Sequence, residues 1–135
     1  MVRRGSSIGF FGIFGRSEDL RRLDAGLRQA GLHPALVPEG VKLAATSLIA
    51  DADEPDPPPE RYPPVAELMA FCALGEEVFG KENGAARLAT ICQRVEAALE
   101  AGAGRDAQII LLMLHARLIQ PDIIDRYGIY AENGD

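Results

Sequence analysis

The chain has no tryptophan, and five phenylalanines and three tyrosines make up its 6% of aromatic residues. Its cysteines number two, Cys72 and Cys92. That is too few for a disulfide-stapled scaffold, and a pair so placed has no zinc-ligand spacing. Period-two runs of Val, Ile, Thr and Tyr are missing. Neither Asn83-Gly84 nor Asn133-Gly134 is flanked by alternating residues, so hairpin signals are missing too. The longest unbroken run of large apolar residues, Ile109 to Leu114, has six members. A membrane-spanning helix needs about 20. Basic residues are in deficit, 14 against 20 acids, for a net charge of −6 and a pI near 4.9. A nucleic-acid module carries the opposite footprint, a basic domain with clustered Lys and Arg. Nucleic acid is therefore not an expected partner.

What is present is a chain of 135 residues, 47% apolar and 25% charged, which suits one globular domain. Its apolar positions recur at close to 3.6 residues. The expected class is all-α: a compact bundle of five to six helices, with a central apolar helix at about 106–119 and an αα-hairpin at about 64–101. Residues 1–16 read as a mobile or docking segment. Residues 17–135 read as a single helical domain interrupted by an acidic, proline-rich linker at 51–64.

The first helix is expected from Glu18 to Ala30. Ser17 serves as N-cap, and Glu18 and Asp19 sit at the positive end of the helix dipole. Leu20, Leu23, Leu27 and Ala30 form its inward stripe, and Gly31 suits the left-handed position that ends many helices. His33-Pro34 to Val37-Pro38 reads as an extended connector, with His33 a surface or capping residue. A second helix, Glu39 to Ala50, turns Val41, Ala45, Leu48 and Ile49 inward. The stretch 51–64, DADEPDPPPERYPP, holds five acids and six prolines. Solvated linker is preferred over docking motif for it.

A third helix, about Pro64 to Phe79, presents two apolar stripes. One contains Val65, Leu68, Met69, Cys72, Glu76 and Phe79; the other contains Phe71, Leu74 and Val78. Such a surface must be covered on two sides. Gly80 to Gly84 reads as an interhelical loop with Asn83 as the next N-cap. The fourth helix, Ala85 to Ala101, is amphipathic, with Leu88, Ile91, Cys92, Val95 and Leu99 inward. The fifth, about Asp106 to Ile119, is apolar nearly all round, hence its expected central place. Pro121 ends it or opens a short helix to Tyr127, with Gly128 closing that helix and Ile129 folding back on Ile124.

Few residues assemble into chemistry. Gly9, Gly12 and Gly15 precede a helix, but their spacing fits neither a Walker loop nor a dinucleotide fingerprint. Residues 1–16 instead combine Arg3, Arg4 and Arg16, without an acid, and three of the five phenylalanines, Phe10, Phe11 and Phe14. That pattern suits docking onto the chain's own helices, a grip on a protein partner, or weak contact with an anionic membrane surface. Gln108 and His115 fall on one stripe of the apolar helix and mark a small polar pocket. Neither histidine has a Glu three positions before it, so the Glu-x-x-His pattern of di-metal bundles is absent. No metal or cofactor is expected.

The function expected from these residues is a non-enzymatic, self-associating protein-interaction module. Its surface would be Phe10, Phe11 and Phe14, or Phe71, Leu74 and Val78 meeting their symmetry mates in a homodimer. The alternative is a small-molecule-binding bundle or enzyme with a pocket around His115. An acidic chain whose Ile8–Gly15 stretch is at the short limit for a signal h-region, with no small-x-small cleavage site after it, is expected in the cytoplasm.

Overall fold

The computed structural model describes residues 7–50 and 57–129, with side chains from Glu18 onward. Among these residues all regular structure is helical, and the helices pack as a compact all-α bundle. Seven α-helices are described: α1 Ser7–Gln29, α2 Glu39–Ile49, α3 Tyr62–Leu74, α4 Glu76–Asn83, α5 Ala85–Ala101, α6 Arg105–His115 and α7 Pro121–Tyr127. Short 3-10 turns occupy Pro34–Leu36 and Pro59–Arg61. No described helix is long and apolar enough to cross a membrane.

The helix starts and stops have local causes. α1 is helical from Ser7, so Ser17 lies inside it and is not an N-cap. Isolated glycines cost a helix only about 1 kcal/mol each relative to alanine, and no proline interrupts this stretch. Its C-terminus is the expected one. Gly31 takes φ +94°, its N–H donates to Arg28 O at 3.0 Å, and the Leu32 N–H donates to Leu27 O at 2.9 Å. These two bonds make a Schellman motif, and Leu32 is buried as its hydrophobic partner. His33 caps the turn that follows, its Nδ1 accepting from the Ala35 N–H at 3.0 Å.

The proline-rich stretch rejoins the fold earlier than its composition implies. Pro57 and Tyr62 are buried, and Tyr62 already belongs to α3. Pro63 and Pro64 sit in the first turn, where their missing N–H groups have no helical acceptor to lose. The expected helix at 64–79 is broken at Gly75, whose φ of +89° and ψ of 168° lie outside any helix. α4 then runs through the residues that read as a loop, and Gly84 rather than Asn83 precedes α5. The Asn83 amide instead donates to Ala30 O at 2.9 Å and Phe79 O at 3.2 Å, tying α4 to the end of α1.

The expected αα-hairpin holds, with α4 as its bend. Arg87 reaches Glu67 at 2.7 Å, while Arg94 lies 3.5 Å from Glu67 and donates to Pro64 O at 3.2 Å. Rising numbers on α5 thus meet falling numbers on α3, which is antiparallel packing. At its far end α7 opens with Pro121 at the permitted first position and closes at Gly128. The Ile129 N–H donates back to Ile124 O at 3.1 Å.

The central helix is α3, not the 106–119 segment. Tyr62, Val65, Leu68, Met69, Phe71 and Cys72 are buried on it, between α1 and α6. On α6 the period of 3.6 turns Ile109, Ile110 and Met113 inward and leaves Leu111 50% exposed. Helix α3 holds the middle because its small residues let a neighbour approach. A Cβ on Gly26 of α1 would stand 2.7 Å from the Ala66 Cβ of α3, a distance no packed pair tolerates.

That crossing is open to test. Gly26→Ala should raise helix propensity by up to about 1 kcal/mol, yet is expected to destabilise the protein by roughly 1–3 kcal/mol through overpacking. Urea unfolding measures the difference. Ala66→Gly in the same chain should recover part of the loss by reopening the contact. Gly40→Ala is the control, since nothing lies within 4 Å of its Cβ position, and it should be neutral or stabilising.

Candidate functional site

The expected surface of Phe71, Leu74 and Val78 is largely taken up within one chain. Phe71 is completely buried, its ring meeting Phe79 edge-on at a centroid distance of 5.5 Å, and Leu74 is half-buried. Val78, 42% exposed, is the most accessible of the three. The two apolar stripes of the sequence find their cover inside one chain, from α1 and α6 on α3 and from α5 on α4. The side chains of Phe10, Phe11 and Phe14 lie outside the described residues.

The expected polar pocket is not assembled. His115 is exposed at the last position of α6. Gln108, two turns earlier, is also exposed but lines a different feature. This is an apolar groove of about 490 Å³ between the C-terminal half of α5 and α6, closed at one end by Gly128 and Ile129. Leu99, Ile110, Leu111, Leu114 and Ile129 supply its apolar walls, and Gln108 is the polar side chain among them. Gly102 and Gly104, which join α5 to α6, and Gly128 beyond α7 leave it roomy because they bring no side chains.

Polar contacts outside the groove fix the helices that wall it. Arg94 of α5 grips Asp106 in the first turn of α6, with Nη2 to Oδ1 at 2.9 Å and Nε to Oδ2 at 3.1 Å. Arg105 donates from Nε to Leu48 O at 3.1 Å, fixing the same turn against α2. On the far side Gln120 serves the end of α3: its N–H donates to Cys72 O at 2.9 Å and its side-chain amide to Ala73 O at 2.8 Å. Asp122 accepts from the Glu76 N–H at 3.2 Å, and Arg126 pairs with Glu76. These contacts seat α7, and with it Ile129.

Sequence reasoning missed the groove. The signal available to it was the Gly102–Gly104 break followed by more apolar residues than one buried face requires. Among the described residues no three His, Cys, Asp or Glu side chains gather as metal ligands. A scan of protein-family models, a search of curated proteins and a search of solved structures each find no match to this chain.

Cys72 and Tyr127 are among the groups displaced from their ordinary ionisation. Burial pushes the Cys72 thiol up to about 12. Burial also raises the Tyr127 phenol, with Cys92 beside it adding to the effect. The Cys72 thiol is thus held neutral in the folded chain, whereas an unfolded thiol ionises near 8.5. Its contribution to stability is complete below that value and is lost as pH rises toward 12. Cys92 is half-buried. At pH 8 an aromatic disulfide reagent is expected to titrate at most one thiol rapidly in the native chain, and two after unfolding in guanidinium. Rapid reaction of both native thiols would show that α3 is open around Cys72.

Proposed function

We propose that the chain is a non-enzymatic protein-interaction module that associates with itself, and that the groove between α5 and α6 is the contact surface. One observation carries the reading: Leu111, 50% exposed, stands on the wall of an apolar groove whose lining includes no titratable side chain. A single exposed leucine is ordinary on any protein surface. A concave apolar wall is different, because water inside it is poorly bonded and is released when a complementary apolar group enters.

Light scattering tests the proposal. The chain is expected to rise from 14.5 kDa toward twice that mass as its concentration increases through the micromolar range. Leu111→Asp places an uncompensated charge on the wall and should weaken association by at least about 2 kcal/mol, more than tenfold in Kd. Its thermal unfolding should barely change, because Leu111 makes little of the core. A mass of 14.5 kDa at every concentration overturns the reading.

A further inference from the structure

We infer that the groove between α5 and α6 receives the N-terminal turns of α1 from a second copy of this chain, with Phe10, Phe11 and Phe14 as the inserted side chains. The inference rests on the self-association proposed above and names the segment that makes the contact.

Helix continuity is the first argument. α1 is one unbroken helix from Ser7 to Gln29, and Leu23, Leu27 and Ala30 mark the side buried in its own bundle. At 3.6 residues per turn, positions 10, 11 and 14 fall about 125° to 175° from the mean direction of that stripe. The positions that continue the buried direction are Gly9, Gly12 and Arg16. The phenylalanine positions therefore share no side with the residues that dock α1 onto α3. Eleven residues precede Glu18 in the helix and extend it by about 16 Å, which is enough to reach a neighbouring molecule. The groove walls come from α5, α6 and Ile129, whereas α1 packs chiefly on α3 and α2. The contact is accordingly drawn between copies.

Charge is the second argument. Residues 1–16 carry +3 from Arg3, Arg4 and Arg16, and the rest of the chain carries −9. On the elements that frame the groove, Glu96 and Glu100 of α5 and Asp125 of α7 are exposed. The arginines of the same elements are engaged, Arg87 and Arg94 with Glu67 and Asp106, Arg105 with the Leu48 carbonyl and Arg126 with Glu76, while Arg117, just past α6, is an exposed cation set against these three acids. A phenylalanine-bearing helix end, preceded in sequence by Arg3 and Arg4, thus meets an apolar groove with exposed acids around it, and the attraction speeds the encounter. Reciprocal exchange, each copy giving its helix end to the other, closes as a two-fold dimer without leaving an open chain.

The experiment uses the full chain in two isotopic forms. A photo-crosslinking phenylalanine analogue replaces Phe14 in the light form, which is mixed with the unmodified heavy form and irradiated. The expected product joins the light N-terminal peptide to the heavy tryptic peptide spanning 106–117. In parallel, light scattering compares the natural chain with a variant carrying Phe10→Ser, Phe11→Ser and Phe14→Ser, which is expected to weaken association more than about tenfold, as loss of aromatic anchors does. A dimer that survives the three substitutions overturns this inference and leaves the self-association reading standing. A chain that stays monomeric throughout overturns both. Crosslinks found only within light chains overturn it in favour of an internal dock. Sedimentation with vesicles containing anionic phosphatidylserine supplies the remaining arm: a monomer that binds them and loses binding with the same substitutions overturns the inference in favour of a membrane contact.

Discussion

The close crossing of α1 over α3 sets the rest of the bundle. Gly26 has no side chain where Ala66 needs the space, and the backbone of α1 therefore passes close against the Ala66 side chain of α3. The approach carries Tyr62 into the core at the start of α3. Its hydroxyl meets Asp19 of α1 at 2.9 Å, and the Arg22 guanidinium lies 5.9 Å above its ring. Burial first, and then the hydrogen bond to Asp19, raise the Tyr62 phenol above its ordinary value, so it stays a neutral donor. With one side of α3 closed by α1, the opposite side is left for α6, and the other helices take what remains.

Polar contacts then choose the register that apolar packing leaves open. Arg94 joins three elements by reaching Glu67, Asp106 and the Pro64 carbonyl. Its partners are part-exposed, so each pair contributes at most about 1 kcal/mol, and the value of the set lies in geometry. Lys42 and Asp24, 3.1 Å apart, do the same for α2 and α1. The break at Gly75 shows the same division. The last turn of α3 leaves carbonyls without helical donors, and Gln120 supplies two of them. Asp122 answers the free N–H at the start of α4. A residue pair forty-five positions downstream thereby stabilises a bend that local sequence does not announce.

This explains which parts of the fold were legible in the sequence. Helix ends governed by local chemistry read correctly: Gly31 in its left-handed position, Pro121 at a helix start and Gly128 at a helix end. The amphipathic stripe of 85–101 also read correctly, because its Ile91 and Val95 face one side only. Misreadings arose where long-range contacts decide. Gly75 interrupts a continuous apolar period, and Gln120, Asp122 and Arg126 supply the partners on the far side of the break. Gly80 looks like a loop residue, yet it lies within α4 because Leu88 of α5 packs 3.1 Å from its Cβ position. The run Ile109–Leu114 looked central on hydrophobicity alone. Centrality depends as much on small residues, and Ala66 and Ala70 place it on α3. As for the candidate site, Gln108 was legible as a lone amide on an apolar helix, but the groove it lines was not, since that needs Ile129 brought back from beyond α7.

The same logic bears on why the chain retains more apolar surface than its core uses. The second stripe of α3 and α4 is accounted for internally, with Phe71 against Phe79 and both rings buried. What stays exposed of it is Val78, at 42%, which lies outside the lining of the groove. Surplus is found instead at α6, where Leu111 and Leu114 face the groove while Ile109 and Met113 already close the core. Replacing Leu111 by a polar residue would cost the monomer little, and Gly102, Gly104 and Gly128 could each be filled by side chains that shut the groove. Wild-type chemistry does neither. An open apolar groove gives up burial that the monomer could have gained at roughly 25 cal/mol per Å². On the interaction reading, that forgone burial is recovered when a second copy enters.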